Sequence, residues 1–223
     1  MNDPRGILFD LDGTLVDTAP DLARALNQTL RAHGRAPMPF EVIRPQVSHG
    51  GIALIRLGFG IEPGDPDFEA LRQQFLDHYR ADLSRASRLF PGFDEVLATL
   101  EQHGLPWGIV TNKPSWLTDP LLDALDLRRR AASVVSSDTT RERKPHPLPM
   151  WHACKELGTP PEATLYIGDA ERDIEAARNA GMPSLVARWG YLGSDDRPEH
   201  WGADGLIEKP AQLLDWLPLT AKP

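Results

Sequence analysis

Gly6-Ile7-Leu8-Phe9-Asp10-Leu11-Asp12-Gly13-Thr14-Leu15 places two carboxylates, two residues apart, directly after an apolar run that reads as a β-strand. In an open parallel sheet, ligands bind beyond the carboxyl ends of the strands, where the loops converge, so Asp10 stands where chemistry is done. Gly13 permits the sharp turn that brings Asp12 back over the same spot. Taken alone, the stretch also reads as a solvated acidic turn, and the rest of the chain must decide between the two.

Five runs of β-branched or apolar residues read as strands, at 6–10, 107–111, 133–136, 164–168 and 184–187. None alternates cleanly, which is the pattern of a parallel sheet buried on both faces. The stretches between them carry helical stripes. Phe93, Val96, Leu97 and Leu100 form one that stops at Gly104, and Leu117, Leu121, Leu122 and Leu125 form the next. Ala153, Cys154 and Leu157 end at Gly158, and Ile174, Ala177 and Ala180 end at Gly181. Strands alternating with helices define an α/β fold.

The first two strands break the rhythm. About 95 residues separate Asp10 from Trp107 where one crossover helix suffices, so a segment is inserted. It reads as helical: Leu22, Ala25, Leu26, Thr29 and Leu30 form a stripe ending at Gly34, and Phe68, Leu71, Phe75 and Tyr79 form another. Between them lie Pro37, Pro39, Pro45, a polar stretch Ser48-His49-Gly50-Gly51 that reads as a flexible loop, and the turn Pro63-Gly64-Asp65-Pro66. The expected division is a small helical domain at 16–89, and a main domain made of 1–15 and 90–223.

The 223 residues, with 41% apolar and 25% charged, are an ordinary globular balance. No apolar run approaches the ~20 residues a bilayer needs, and residues 1–5 lack a signal-peptide layout, so a cytoplasmic protein without a membrane partner is expected. A single cysteine, Cys154, excludes an internal disulfide. A formal charge of -8 disfavours nucleic acid as partner and obliges an anionic substrate to find a local cation. Monomer and homodimer cannot be separated at this level. The seven histidines lack paired metal-ligand spacing, and Trp189-Gly190-Tyr191 reads as packing at the edge of the core.

Three further signals follow strand ends. Thr111-Asn112 offers a hydroxyl and backbone N–H groups to phosphoryl oxygens. Lys144-Pro145-His146-Pro147 presents a lysine whose approach is set by prolines. Gly168-Asp169-Ala170-Glu171-Arg172-Asp173 places two carboxylates four residues apart at a helix start, as a cation pocket or as helix capping. Clustered carboxylates repel one another, and a hard divalent cation, Mg²⁺ by oxygen-ligand preference, is their natural companion.

Asp10-Leu11-Asp12-Gly13-Thr14, Thr111-Asn112-Lys113-Pro114, Lys144-Pro145-His146-Pro147 and Gly168-Asp169 with Asp173 stand in an order and spacing that resemble the haloacid dehalogenase superfamily, specifically its phosphatases of the phosphoglycolate phosphatase type. The resemblance covers essentially the whole chain and implies a Rossmann-like, doubly wound parallel sheet core with an α-helical cap domain inserted after the first motif. With the reading of the residues, it implies a Mg²⁺-dependent phosphatase acting on a small phosphorylated metabolite. Asp10 attacks phosphorus and forms an aspartyl-phosphate. Asp12 acts as acid and then base, which requires it to be protonated when substrate arrives; like-charged neighbours are the expected cause. Mg²⁺ is held by Asp10, Asp169 and the backbone carbonyl of Asp12. Asp173 either ligates through water or orients Lys144. Lys144 offsets the charge on Asp10 and the phosphoryl group, while Thr111 and the Asn112 backbone bind phosphoryl oxygens.

A carboxylate at Asp12 argues against dehalogenation, since a halide leaves without a proton. The inserted segment has no lysine for a Schiff base, which argues against phosphonate hydrolysis. A sugar phosphate mutase uses the same core, and a non-catalytic regulator that binds phosphorylated ligands is the alternative outside enzymology. Substrate choice is assigned to the cap: Ser48, His49 and Gly50, flanked by Arg44 and Arg56, either of which could pair with a substrate carboxylate. That stretch and residues 107–114 also look like relatives that dephosphorylate N-acetylmuramic acid 6-phosphate.

Overall fold

The computed structural model describes residues 3–219. In chain order the main elements are β1 (Gly6–Phe9), β2 (Val16–Asp17), α1 (Ala19–Ala32), α2 (Phe40–Ile43), a 3₁₀ segment (Arg44–His49), α3 (Gly50–Phe59), α4 (Phe68–Ala81) and β3 (Arg88–Leu89). Then follow α5 (Phe93–Gln102), β4 (Trp107–Val110), α6 (Ser115–Ala124), β5 (Ser133–Val135), α7 (Leu148–Leu157), β6 (Thr164–Gly168), α8 (Glu171–Ala180), β7 (Ser184–Ala187) and β8 (Gly205–Ile207).

Apolar side chains on both sides of each strand oblige the sheet to be covered twice. It has six strands in the order β5-β4-β1-β6-β7-β8, with every neighbouring pair parallel. Ile7 and Phe9 pack on the face that meets Phe93, Val96 and Leu97 of α5, while Leu8 and Tyr166 pack on the other with Met150, Ala153 and Ala177 of α7 and α8. β1 lies at the centre, between β4 and β6, so the chain winds outward from it in both directions. The crevice at this switch point is where the motifs converge.

All five expected strands are present. Two features were not anticipated. β8 extends the edge by three residues beside β7, and β2 pairs antiparallel with β3, Val16 opposite Leu89 and Asp17 opposite Arg88. This ribbon carries the chain out of the core after the first motif and back into it. The inserted helices are amphipathic as expected, and their apolar faces, including Leu26, Leu54, Phe75 and Tyr79, join the cluster on the α5 side of the sheet. At the base of the insertion, buried Asp21 accepts from Ala86 N (2.9 Å), Ser87 N (2.8 Å) and Ser87 Oγ (2.7 Å), tying α1 to the returning chain. Burial opposes its charge, but these hydrogen bonds and the one from Arg24 win and hold its carboxyl below the ordinary range.

The flexible loop expected at 48–51 is instead helical: Ser48 and His49 end the 3₁₀ segment and Gly50-Gly51 open α3. Gly50 looks like a breaker because it is one for a single residue. At φ 77° it redirects the chain between the two helices, and α3 then runs on through Gly51.

Candidate active site

After β1 the chain makes a tight turn in which Gly13 N donates to Val16 O (3.0 Å) and Val16 N to Leu11 O (2.9 Å). Gly13 adopts φ 90°, and a Cβ there would collide with the Asp169 carboxylate. The turn therefore packs the first motif directly against the fourth. Asp10 and Asp169 are 5% and 2% exposed and Asp173 is fully enclosed; ligand oxygens of all three lie within 4.8 Å of one another.

Lys144 enters this cluster from the third motif. Its Nζ lies 2.8 Å from Asp10 Oδ1 and 2.7 Å from Asp173 Oδ1, and it donates to Val110 O (2.7 Å) and Tyr166 Oη (2.8 Å). The backbone that carries it is clamped by Asn112, whose Nδ2 donates to Lys144 O (2.9 Å) and whose Oδ1 accepts from Lys144 N (3.0 Å). The Asn112 side chain is thus occupied with Lys144, while Thr111 Oγ1 accepts from Lys113 N (3.1 Å). Asp173 has one oxygen on Lys144 and the other accepting from Ala170 N (3.1 Å), so it orients the lysine and closes the start of α8.

Burial pushes the Asp10 carboxyl up to about 7; Lys144 opposes this, while the charges of Asp173 and Asp169 add to it. Asp169 is pushed up to about 6, again by burial first and then by Asp173, against donors that include Tyr191 N and Ser48. Carboxylates raised above their ordinary range by burial and by crowded negative charge are what a hard dication relieves, and an all-oxygen donor set fits a metal of that kind. Asp10 and Asp169 would hold it, with Asp173 behind them.

Asp12 sits outside this cluster. Its Oδ1 accepts from Thr18 Oγ1 (2.6 Å), and both of its oxygens face Lys113 Nζ, at 2.8 and 3.2 Å. The neighbour expected to be like-charged is a cation, because Lys113 reaches across from the β4 edge. Its side-chain oxygens are thus engaged by Thr18 and Lys113 rather than by the carboxylate cluster.

Of the residues assigned to substrate choice, Ser48 is drawn into the core: its hydroxyl donates to Asp169 Oδ2 (2.7 Å) and its carbonyl accepts from Arg172. Ser48, His49, Asp169, Arg172, Tyr191 and Asp196 line a cavity of about 270 Å³ beside the carboxylates. Desolvation of the His49 ring, reinforced by the Arg172 charge, holds it below the ordinary imidazole range. Gly50 is an exposed helix junction rather than part of a mobile loop. The two arginines are engaged elsewhere. Arg44 donates to Gly190 O and Trp189 O, both at 3.0 Å, and stacks over the Tyr191 ring, joining the inserted segment to the core. Arg56 forms a bidentate pair with Glu62 on the solvent face, both contacts 2.5 Å.

Several residues of the site were not assigned from sequence. Lys113 and Arg172 lie inside the quoted motifs, which was the available signal. Tyr166, Thr18 and Tyr79 carry none. Tyr191, expected only as packing, accepts at Oη from Thr18 N (2.7 Å) and Ala19 N (2.9 Å), capping α1, while its own N–H donates to Asp169 Oδ2 (2.9 Å).

A parallel sheet with an acidic switch point, a buried lysine and a helical insertion after the first strand defines a haloacid dehalogenase-like hydrolase. The family model of that description matches residues 7–187, and the chain belongs to this family. Among curated relatives it is 42% identical to the N-acetylmuramic acid 6-phosphate phosphatase of Pseudomonas aeruginosa over 96% of this chain and 94% of that protein. It is 45% identical to a phosphoglycolate phosphatase of Xanthomonas campestris pv. campestris, over 96% and 97% of the two chains. A crystal structure of a predicted phosphoglycolate phosphatase from Haemophilus somnus 129PT superimposes with TM-score 0.85 at 28% identity, covering 96% of this chain and 98% of that one.

Proposed function

We propose that this protein is a Mg²⁺-dependent phosphatase of the phosphoglycolate phosphatase type, which hydrolyses a small phosphorylated metabolite through an aspartyl-phosphate on Asp10. The observation that carries the reading is Asp10 at the central strand end, 2.8 Å from the buried ammonium of Lys144 and clustered with Asp169 and Asp173. Asp10 attacks phosphorus in line, and Lys144 offsets the charge of nucleophile and phosphoryl group. Thr111 and the Asn112 backbone take phosphoryl oxygens. Asp12 gives a proton to the departing alkoxide and then takes one from the water that cleaves the intermediate. A bound Mg²⁺ supplies charge neutralisation between the anionic nucleophile and the anionic substrate.

The inserted segment, 16–89, acts as the cap over this chemistry, and Ser48 and His49 are its contribution to the mouth of the site. With Arg44 and Arg56 spent on other partners, neither is assigned to a substrate carboxylate. Net charge and the reduced, buried Cys154 suit a cytoplasmic enzyme that does not bind nucleic acid.

A second reading, phosphatase action on N-acetylmuramic acid 6-phosphate, is supported by the relative of that name at 42% identity. Phosphate release from phosphoglycolate, N-acetylmuramic acid 6-phosphate and a nucleoside monophosphate decides between them, with Asp10→Asn as control. The proposed reading expects phosphoglycolate to lead and Asp10→Asn to fold normally yet lose nearly all turnover. Preference for the amino sugar would install the second reading. Near-wild-type turnover by Asp10→Asn would remove the covalent mechanism, and absence of any release with Mg²⁺ present would leave a phospho-ligand-binding regulator.

A further inference from the structure

Lys113 has no part in the chemistry above, yet it is among the most constrained residues near it. Its N–H donates to Thr111 Oγ1 (3.1 Å) and its carbonyl accepts from Ser137 N (3.0 Å), so its backbone is fixed on both sides. From there the side chain crosses to the inserted helices. Its Nζ lies 4.6 Å from the centroid of the Tyr79 ring of α4 and faces both oxygens of Asp12. The Lys113 and Asp12 side chains are 6% and 17% exposed, so the pair is largely withdrawn from water.

A carboxylate held by one hydrogen bond keeps its freedom to rotate about Cβ–Cγ. Thr18 alone would leave Asp12 in that state, since it reaches only Oδ1. A cation facing both oxygens removes the rotation, and proton transfer depends steeply on such alignment. Because Tyr79 belongs to α4 while Lys113 and Asp12 belong to the core, the packing of α4 completes the seat of the cation.

We propose that Lys113 is a positioning residue for Asp12, and that the Tyr79 ring is its seat, so that docking of α4 and alignment of the acid are one event. The proposal rests on the reading of Asp12 as the acid–base group, and the test separates the two.

Lys113→Met and Asp12→Asn are compared on phosphoglycolate, whose alkoxide needs a proton to leave, and on p-nitrophenyl phosphate, whose phenolate does not. For Lys113→Met, kcat on phosphoglycolate should fall about 10- to 100-fold with KM within about threefold. The first-turnover burst of nitrophenolate should fall less than about threefold. Tyr79→Leu should show the same selectivity with a smaller loss. If Lys113→Met fails to fold, Lys113→Gln, which keeps one donor, is measured in its place. Equal losses on both substrates, or a rise in KM with kcat unchanged, would overturn the proposal; the second result would make Lys113 a substrate-binding cation. If Asp12→Asn itself shows no dependence on the leaving group, the acid–base reading fails and the proposal falls with it.

Discussion

Replacing Lys144 by Met keeps most of the side-chain volume and removes one charge from the most enclosed point of the site. Lys144 is 2% exposed, and its ammonium answers Asp10 at 2.8 Å and Asp173 at 2.7 Å, neither of which has water to turn to. Removing one partner of such a group leaves buried charge uncompensated, a cost of about 3 to 5 kcal/mol. In a chain of 223 residues each kcal/mol moves the midpoint by about 2 to 4 °C, so Tm should fall by about 6 to 20 °C. The cost must depend on pH. In the wild type the Asp10 carboxyl already stands at about 7, and loss of Lys144, which opposes that rise, moves it further up. A carboxyl raised in the folded state contributes stability at low pH and loses it as pH rises through its folded value. The deficit of Lys144→Met should therefore be large at pH 8 and much smaller at pH 5. Thermal unfolding with a chelator present, at both pH values, measures it. Asp173→Asn should soften the Lys144→Met defect, with the double variant better than the sum of the singles by more than about 1 kcal/mol. A deficit below about 1 kcal/mol at pH 8, or the same deficit at both pH values, would refute this reasoning. Turnover should fall for every substrate together, because the proposed mechanism puts Lys144 at the phosphoryl group that all of them share.

Metal removal should have a pH signature of its own. Asp10 and Asp169 are raised to about 7 and about 6, so the metal-free protein loses stability between about pH 4 and 7, and the rise in Tm on adding Mg²⁺ should be larger at pH 8 than at pH 5. Asp21→Ala orphans the N–H groups of Ala86 and Ser87 and should cost about 2 to 4 kcal/mol by denaturant unfolding at pH 7. Because the Asp21 carboxyl is held below its ordinary value, this contribution is present above about pH 4 and fades as pH falls below it. Arg44→Ala should destabilise measurably and lower turnover on all substrates, since it unfastens the inserted segment from the Trp189 and Gly190 carbonyls. Arg56→Ala, whose partner Glu62 is as exposed as itself, should leave the same melts essentially unchanged.

What could be read in advance follows the range of the interactions concerned. The five expected strands were legible because their burial is written into consecutive apolar residues, and the helices because of their apolar stripes, four of which end at glycines. β8 has three residues, one of them glycine, and β2 and β3 have two each, with partners on the far side of the insertion. No local pattern encodes a pairing that short. Gly50 misled for the opposite reason, since its positive φ is a local fact whose consequence depends on the helix that follows.

The site divides along the same line. Asp10, Asp12, Lys144 and Asp169 could be named because each follows a strand end, and a parallel sheet brings strand ends to one edge whatever else the chain does. Their counter-charges are chosen by distance in three dimensions. Asp12 was expected to have like-charged neighbours, but it meets Lys113, 101 positions away, and Asp169 meets the Ser48 hydroxyl, 121 positions away. Both contacts cross between core and inserted segment or lie against that seam. A motif therefore identifies which groups gather at the sheet edge, while the packing of the insertion decides which cation or donor stands beside each. This is why the carboxylates at the strand ends were legible and the cation beside Asp12 was not.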